Sequence, residues 1–199
     1  MSSGLAIASV TAVLRDLLAT GFSQADVAAQ LGVPATISAL PPDRIQTGLH
    51  EPPQLNIFLY RVTPHLAVPR TPSPTGARQL ALELHYLVTA YGAEDLHAEI
   101  LLGQAIRTLH ETSIIPRARI EEMLRGLATP AQGHVATPAL SALQGSAVGA
   151  LTDQWQILPD VLPNEDMMHL WTALQGKFRP SVTYKVVGPA IEIERRATT

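Results

Sequence analysis

The stretch LNIFLYRVTP, Leu55–Pro64, and the stretch LALELHYLVTAYG, Leu80–Gly92, decide how this chain folds. Both are rich in aliphatic, aromatic and β-branched residues, which suit a pleated, buried surface. In the first, Leu55, Ile57 and Leu59 face one way, and Phe58, Tyr60 and Val62 the other. Apolar residues on both sides predict an interior strand covered on both faces. In the second, Leu80, Leu82, Leu84, Tyr86 and Val88 share a face, while Glu83, His85 and Thr89 share the opposite one. That period of two predicts a half-buried strand. The two strands are predicted to pair antiparallel as a hairpin. The span between them, Thr63–Arg78, carries Pro64, Pro69, Pro72 and Pro74 and has neither helical nor strand periodicity. A loop of this length in a compact domain is functional or disordered.

Around this hairpin the chain reads as alternating helices and short strands. Val10, Val13, Leu14, Leu17 and Leu18 fall on one helical face and predict an N-terminal amphipathic helix ending near Gly21. Ser23–Leu31 predicts a short helical turn stopped by Gly32 and Pro34, and Ala35–Leu40 a short strand. Glu94–His110 predicts a helix with Ala98, Leu101, Leu102, Ala105 and Leu109 as its stripe. A second helix follows Pro116, burying Ile120, Met123, Leu124 and Leu127.

Residues 128–150 contain no Asp, Glu, Lys or Arg and read either as a mobile insertion or as a weak helix from Pro138 onward. Gln154–Leu158 predicts a strand. Asn164 is the expected N-cap of a helix whose stripe is Met167, Leu170, Trp171 and Leu174, closed by Gly176. Ser181–Val187 alternates, with Val182, Tyr184 and Val186 on one face; after Gly188-Pro189 the parity switches to Ile191 and Ile193, which predicts a bulge. The whole predicts a single α+β domain over 1–199, a mostly antiparallel sheet with helices packed on one face.

Composition narrows the chemistry. The chain has 199 residues and no cysteine, which excludes disulfides, thiolate metal sites and cysteine nucleophiles. A domain of this size buries roughly 70% of its unfolded surface, so it folds without staples. Fourteen basic and seventeen acidic residues give a net charge of -3, and no block of like charge suggests a nucleic-acid footprint. The apolar stretch Leu5–Leu14 lacks a basic leader and is interrupted by Arg15 and Asp16, so it reads as an amphipathic helix and not a signal peptide. No run approaches the roughly 20 apolar residues of a membrane span.

The catalytic motifs fail one by one. There is no GxGxxG, and Gly176-Lys177 has Trp171 and Phe178 where a phosphate-binding loop needs Gly and Ser or Thr. Gly145–Gly149 has its serine out of place for a nucleophile elbow. His97-Ala98-Glu99 lacks the cysteines of a zinc deaminase, and His97 reads as a solvated helix residue. Trp155 and Trp171 read as core or interface anchors. The residues alone predict a non-enzymatic domain with no cofactor and no metal site. A small-ligand or regulatory binding domain, using the polar sheet face around His85 and Tyr91, is the alternative; a hydrolase fits least.

Four stretches go further when taken together: LNIFLYRVTPH at Leu55–His65, LALELHYLVTAYG at Leu80–Gly92, LLGQAIRTLHETSII at Leu101–Ile115 and LWTALQGKFRPSVTYKV at Leu170–Val186. In this order and approximate spacing the chain resembles the cap, or tail-terminator, proteins of bacterial extracellular contractile injection systems, phage-tail-like particles with a rigid tube inside a contractile sheath. His65 stands where the family often shows asparagine, and Phe178 where tyrosine is expected.

The resemblance implies a phage tail-terminator-like fold and a structural role. Six copies would form a ring at the rear end of inner tube and sheath and end their polymerisation. The implied partners are the chain itself and the tube and sheath proteins, with no nucleic acid and no membrane insertion. The implied place is the bacterial cytoplasm during assembly, in a particle later released or retained. On this reading Thr63–Arg78 is a docking arm, and the expected assembly residues are Arg61, Thr63, His65, Arg70, Arg78, Arg179, Ile191, Ile193, Arg195 and Arg196. The C-terminal strand either docks a neighbour at a free sheet edge or is already paired on both sides.

Overall fold

The computed structural model describes residues 3–65, 78–127, 138–144 and 152–193. Its centre is Arg78–Tyr91 (β3), a strand of 14 residues with a partner along each edge. On one side Gln54–Pro64 (β2) runs antiparallel, with Ile57 opposite Val88 and Leu55 opposite Ala90. On the other Ser181–Ile193 (β6) runs antiparallel, with Tyr184 opposite Tyr86 and Val182 opposite Val88. Thr36–Ser38 (β1) adds to β2 in parallel and forms one edge of the sheet. Beyond β6 lie Gln154–Pro159 (β5) and Ile114–Pro116 (β4), which forms the other edge. The six strands take the order β1-β2-β3-β6-β5-β4.

The predicted characters of the two long strands are exchanged. Leu82, Leu84, Tyr86 and Val88 of β3 do line the core, but on the opposite face His85, Leu87, Thr89 and Tyr91 are buried as well. In β2 only Leu55, Asn56 and Ile57 are buried, and Arg61, Val62 and Pro64 are exposed. Position in the sheet decides this, not composition. β3 is flanked by strands on both edges, whereas β2 runs out to a less covered end.

Against the core face pack Ala6–Gln24 (α1), Val27–Leu31 (α2), His97–Glu111 (α3), Arg117–Gly126 (α4) and Pro138–Gln144 (α5). α1 alone among the described helices has the length and apolarity to cross a membrane, but its apolar face goes to the core. Val10, Val13 and Leu18 are fully enclosed. Each such side chain contributes up to about 1.5–3 kcal/mol by leaving water. Tyr86 meets α1 through its hydroxyl, 2.9 Å from Thr11 Oγ1. The weak helix predicted from Pro138 is α5, anchored by buried Leu143; residues 128–137 and 145–151 lie outside the described set. Asn164–Ala173 (α6) stands apart. Its Trp171 is buried outside this core, with its ring 5.9 Å from that of Phe178.

Several local expectations change. The helix predicted from Glu94 begins at His97, after Leu96 in the left-handed region, and His97 is buried, not solvated. Pro116 caps α4 from outside and also ends β4, a strand too short to show in the sequence. Pro163 holds the N-cap position of α6, and Asn164 is already helical. At the other end of α6 the left-handed residue is Gln175, with φ 52°. Gly176 packs closely on the helix it follows: a Cβ there would lie 3.0 Å from the Trp171 ring. The bulge at Gly188-Pro189 is present, with Gly188 at φ 111° and the β3–β6 register shifting between Ala81 and Glu83.

Candidate assembly surface

A second bulge builds the polar face of the sheet. In β2 the register with β3 shifts between Leu59 and Arg61: Leu59 lies opposite Tyr86, and Arg61 opposite His85. Tyr60 is the extra residue. Beyond it the parity inverts, so Val62 joins the face of Leu59 and Leu84, while Arg61 and Thr63 join Tyr60 and His85. A one-residue slip of this kind moves every later side chain to the other face.

His85 is the buried hub of this face. Its Nδ1 lies 2.7 Å from Asp160 Oδ2 and 3.2 Å from an Arg61 guanidinium nitrogen. One ring nitrogen cannot serve both. The carboxylate only accepts, so Nδ1–H donates to Asp160, and Nε2 accepts from the Thr63 hydroxyl at 3.1 Å. Arg61 then contributes its charge beside the pair and lies 5.9 Å from the Tyr60 ring centroid. Tyr60 donates to Asp160 at 3.3 Å, and burial together with that carboxylate pushes its hydroxyl up to about 12. Asp160 is itself fixed to β6, because its backbone N–H donates to Thr183 O and its carbonyl accepts from the Thr183 hydroxyl.

Further along β3 on the same face, Glu83 sits between His65 and Lys185. Its Oε1 is 2.6 Å from His65 Nδ1, and its Oε2 accepts from Lys185 Nζ at 3.2 Å. The His65 hydrogen bond, with Lys185 behind it, holds the carboxyl below its ordinary range against a smaller opposing effect of burial.

The structure thus gathers three of the expected assembly residues, Arg61, Thr63 and His65, at the outer end of β2. Arg78, Ile191 and Ile193 form a second group: Arg78 pairs with Ile193 and Leu80 with Ile191. This ribbon extends past its neighbours. β2 ends opposite Leu82, and β5 reaches only as far as Val187 of β6. Among the described residues, β6 is paired with both β3 and β5 up to Val187, and beyond that point β3 is its one strand partner.

Arg179 lies elsewhere, 2.6 Å from the buried Glu51 carboxylate, whose other oxygen accepts the Gly92 N–H at 2.9 Å. Arg70, Arg195 and Arg196 fall outside the described residues, as does 66–77 of the expected docking arm; Thr63 and Pro64 belong to β2.

Sequence reasoning missed Glu83, Lys185 and Asp160 as part of this surface. Glu83 and Lys185 share a face by parity, a signal present in the alternation. Asp160 comes from the segment after β5 and leaves no periodic trace. Nothing supports the alternative ligand site around His85 and Tyr91, whose side chains are 4% and 2% exposed.

Solved structures similar to this chain include the following two. One is the sheath/tube terminator of PVC, an extracellular contractile injection system, in its extended state; it is 17% identical with a TM-score of 0.44, over 81% of this chain and 50% of that one. The other is the tube-terminating cap of the anti-feeding prophage, AFP, 16% identical with a TM-score of 0.41, over 76% of this chain and 48% of that one. The chain therefore spans about half the length of the solved chains it matches. Among curated proteins none matches. Residues 9–199 match the model of the Pvc16 N-terminal domain, and the chain belongs to that family.

Proposed function

We propose that this chain is a structural cap, or tail terminator, of a contractile injection system, closing the rear end of inner tube and sheath and ending their growth. The observation that carries the reading is the family match over residues 9–199. The four-part resemblance at Leu55–His65, Leu80–Gly92, Leu101–Ile115 and Leu170–Val186 supports it from the residues themselves. In this role the protein acts as a non-enzymatic scaffold. Its copies form a ring, six by analogy with the family, through two different patches meeting head to tail. Assembly takes place in the bacterial cytoplasm.

Two surfaces serve this role. The end of β2 with Arg61, Thr63 and His65 offers polar groups already fixed by Glu83, His85 and Asp160, so little order is lost on docking. The ribbon of Arg78–Leu80 with Ala190–Ile193 offers backbone groups to a neighbouring strand.

Gold-labelled antibody against the chain, applied to purified intact particles, tests the placement. Label at a single end agrees with a cap. Label distributed along the particle, or none on it, removes the reading.

A further inference from the structure

The opposite edge of the sheet holds a groove that none of the surfaces above uses. It has a volume of about 500 Å³ and runs beside β1. Arg15, Ala19, Phe22 and Ser23 line it from α1, at helical spacings of four, three and one that place them on one stripe. Val27 and Ala28 of α2 form its end, and Ala35, Thr36 and Ile37 its other wall.

Among the described residues β1 has a strand partner on one side only. Thr36 donates its N–H to Pro53 O on the β2 side, at 3.0 Å. Alternate residues of a strand direct their backbone groups to opposite neighbours, so those of Ala35 and Ile37 are turned to the open edge. Among the described residues no strand lies there. The edge is held rigid from behind. Buried Asn56 accepts from the Ser38 hydroxyl at 2.7 Å and the Leu40 N–H at 2.9 Å, and donates to Leu40 O at 2.9 Å.

The groove also contains a cation with an unmet need. Arg15 Nε is buried and has no hydrogen-bond partner among the described residues. Among the described residues no carboxylate lies within ion-pair distance of Arg15; Asp26, at the rim, is not paired with it. A buried guanidinium donor left open costs stability until an acceptor reaches it. Burial alone lowers the Arg15 affinity for its proton, with no anion to offset it. An apolar trough, an open strand edge and one unanswered cation describe a complementary ligand.

We propose that this groove binds an extended acidic peptide segment of another protein, which adds to β1 as a further strand, sets an apolar side chain against Phe22 and Val27, and places an Asp or Glu carboxylate on Arg15. Backbone bonds to Ala35 and Ile37 supply affinity, and Arg15 selects the charge. The site is separate from the β2 end and the β3–β6 ribbon, so it stands whether or not the capping role does.

The test uses the full chain and a displayed library of random decapeptides, selected in parallel on the wild type and on Arg15→Gln. Glutamine keeps polar bulk at a partly buried position, so the variant folds, which its thermal unfolding midpoint verifies. The expected result is a wild-type consensus of alternating apolar residues with one Asp or Glu. A synthetic consensus peptide should slow hydrogen exchange at the Ile37 amide and bind Arg15→Gln about tenfold more weakly. Changing the peptide's acid to its amide should cost the same factor on the wild type and nothing further on the variant. A consensus without an acid, equal enrichment on both proteins, no enrichment, or protection away from β1 overturns the proposal. Self-association that protects Ile37 in the absence of peptide also overturns it, in favour of a second copy as the occupant.

Discussion

The Nδ1–H of His85 donates to Asp160 across 2.7 Å, joining residues 75 positions apart and fixing the segment after β5 to the centre of the sheet. The ring is almost fully buried, so the bond replaces water that cannot reach it. Asp160→Ala leaves that donor open and is expected to cost about 1–3 kcal/mol. Urea unfolding at neutral pH measures it; an unchanged midpoint would show that the pair is incidental.

Glu51 and Arg179 make a similar link at the other end of β3, with Glu51 buried and Arg179 over the Tyr91 ring at 6.0 Å. Removing only the cation strands a buried carboxylate. Arg179→Met should therefore destabilise by about 3 kcal/mol. The double variant Arg179→Met with Glu51→Gln should lose less than the two single variants summed. Additive losses would mean that the two groups do not interact.

Two glycines should respond with opposite sign. At Gly188 a Cβ would lie 2.5 Å from Gln154 O, and φ is 111°. Gly188→Ala is expected to destabilise by more than about 2 kcal/mol, because backbone must move. Gly103 lies inside α3, and a Cβ there meets nothing within 4 Å. Gly103→Ala should stabilise by about 0.5–1 kcal/mol. Calorimetric melting of both variants provides the comparison, and a shift of the same sign in each would contradict the backbone assignment.

Glu83 makes stability depend on acidity. Its carboxyl is held below the ordinary range, so the unfolded chain binds the proton more tightly than the folded one. The contribution is complete above the unfolded value near pH 4 and fades as pH falls through the lower folded value. Glu83→Gln should therefore be less stable than the parent above about pH 5, with the gap narrowing as the pH drops below 4. A gap that is constant over this range would remove His65 and Lys185 as the cause.

Much of this architecture is legible in the residues. The stripe from Val10 to Leu18 gives α1, the alternation from Leu80 to Val88 gives the core face of β3, and the parity switch at Gly188 gives the bulge in β6. These signals are local, and burial of one face enforces them. The bulge at Tyr60 is not legible, because Leu59-Tyr60-Arg61-Val62 reads as plausible alternation with or without an extra residue. Nor does sequence parity show that the His85 face is buried, since its cover comes from distant segments such as Asp160 and Thr63. Of the expected assembly residues, Arg61, Thr63 and His65 share a face by simple alternation, and the bulge turns that face to the side of His85 and Glu83, whereas Arg179 is engaged by Glu51.

The capping role predicts how particles end. The most direct measurement is the length distribution of particles, imaged by electron microscopy, from a strain lacking this chain and from the same strain with it restored. The account predicts tubes and sheaths of irregular length, or particles that fall apart, in the deletion strain, and one uniform length on restoration. Uniform, contraction-competent particles without the chain would contradict it.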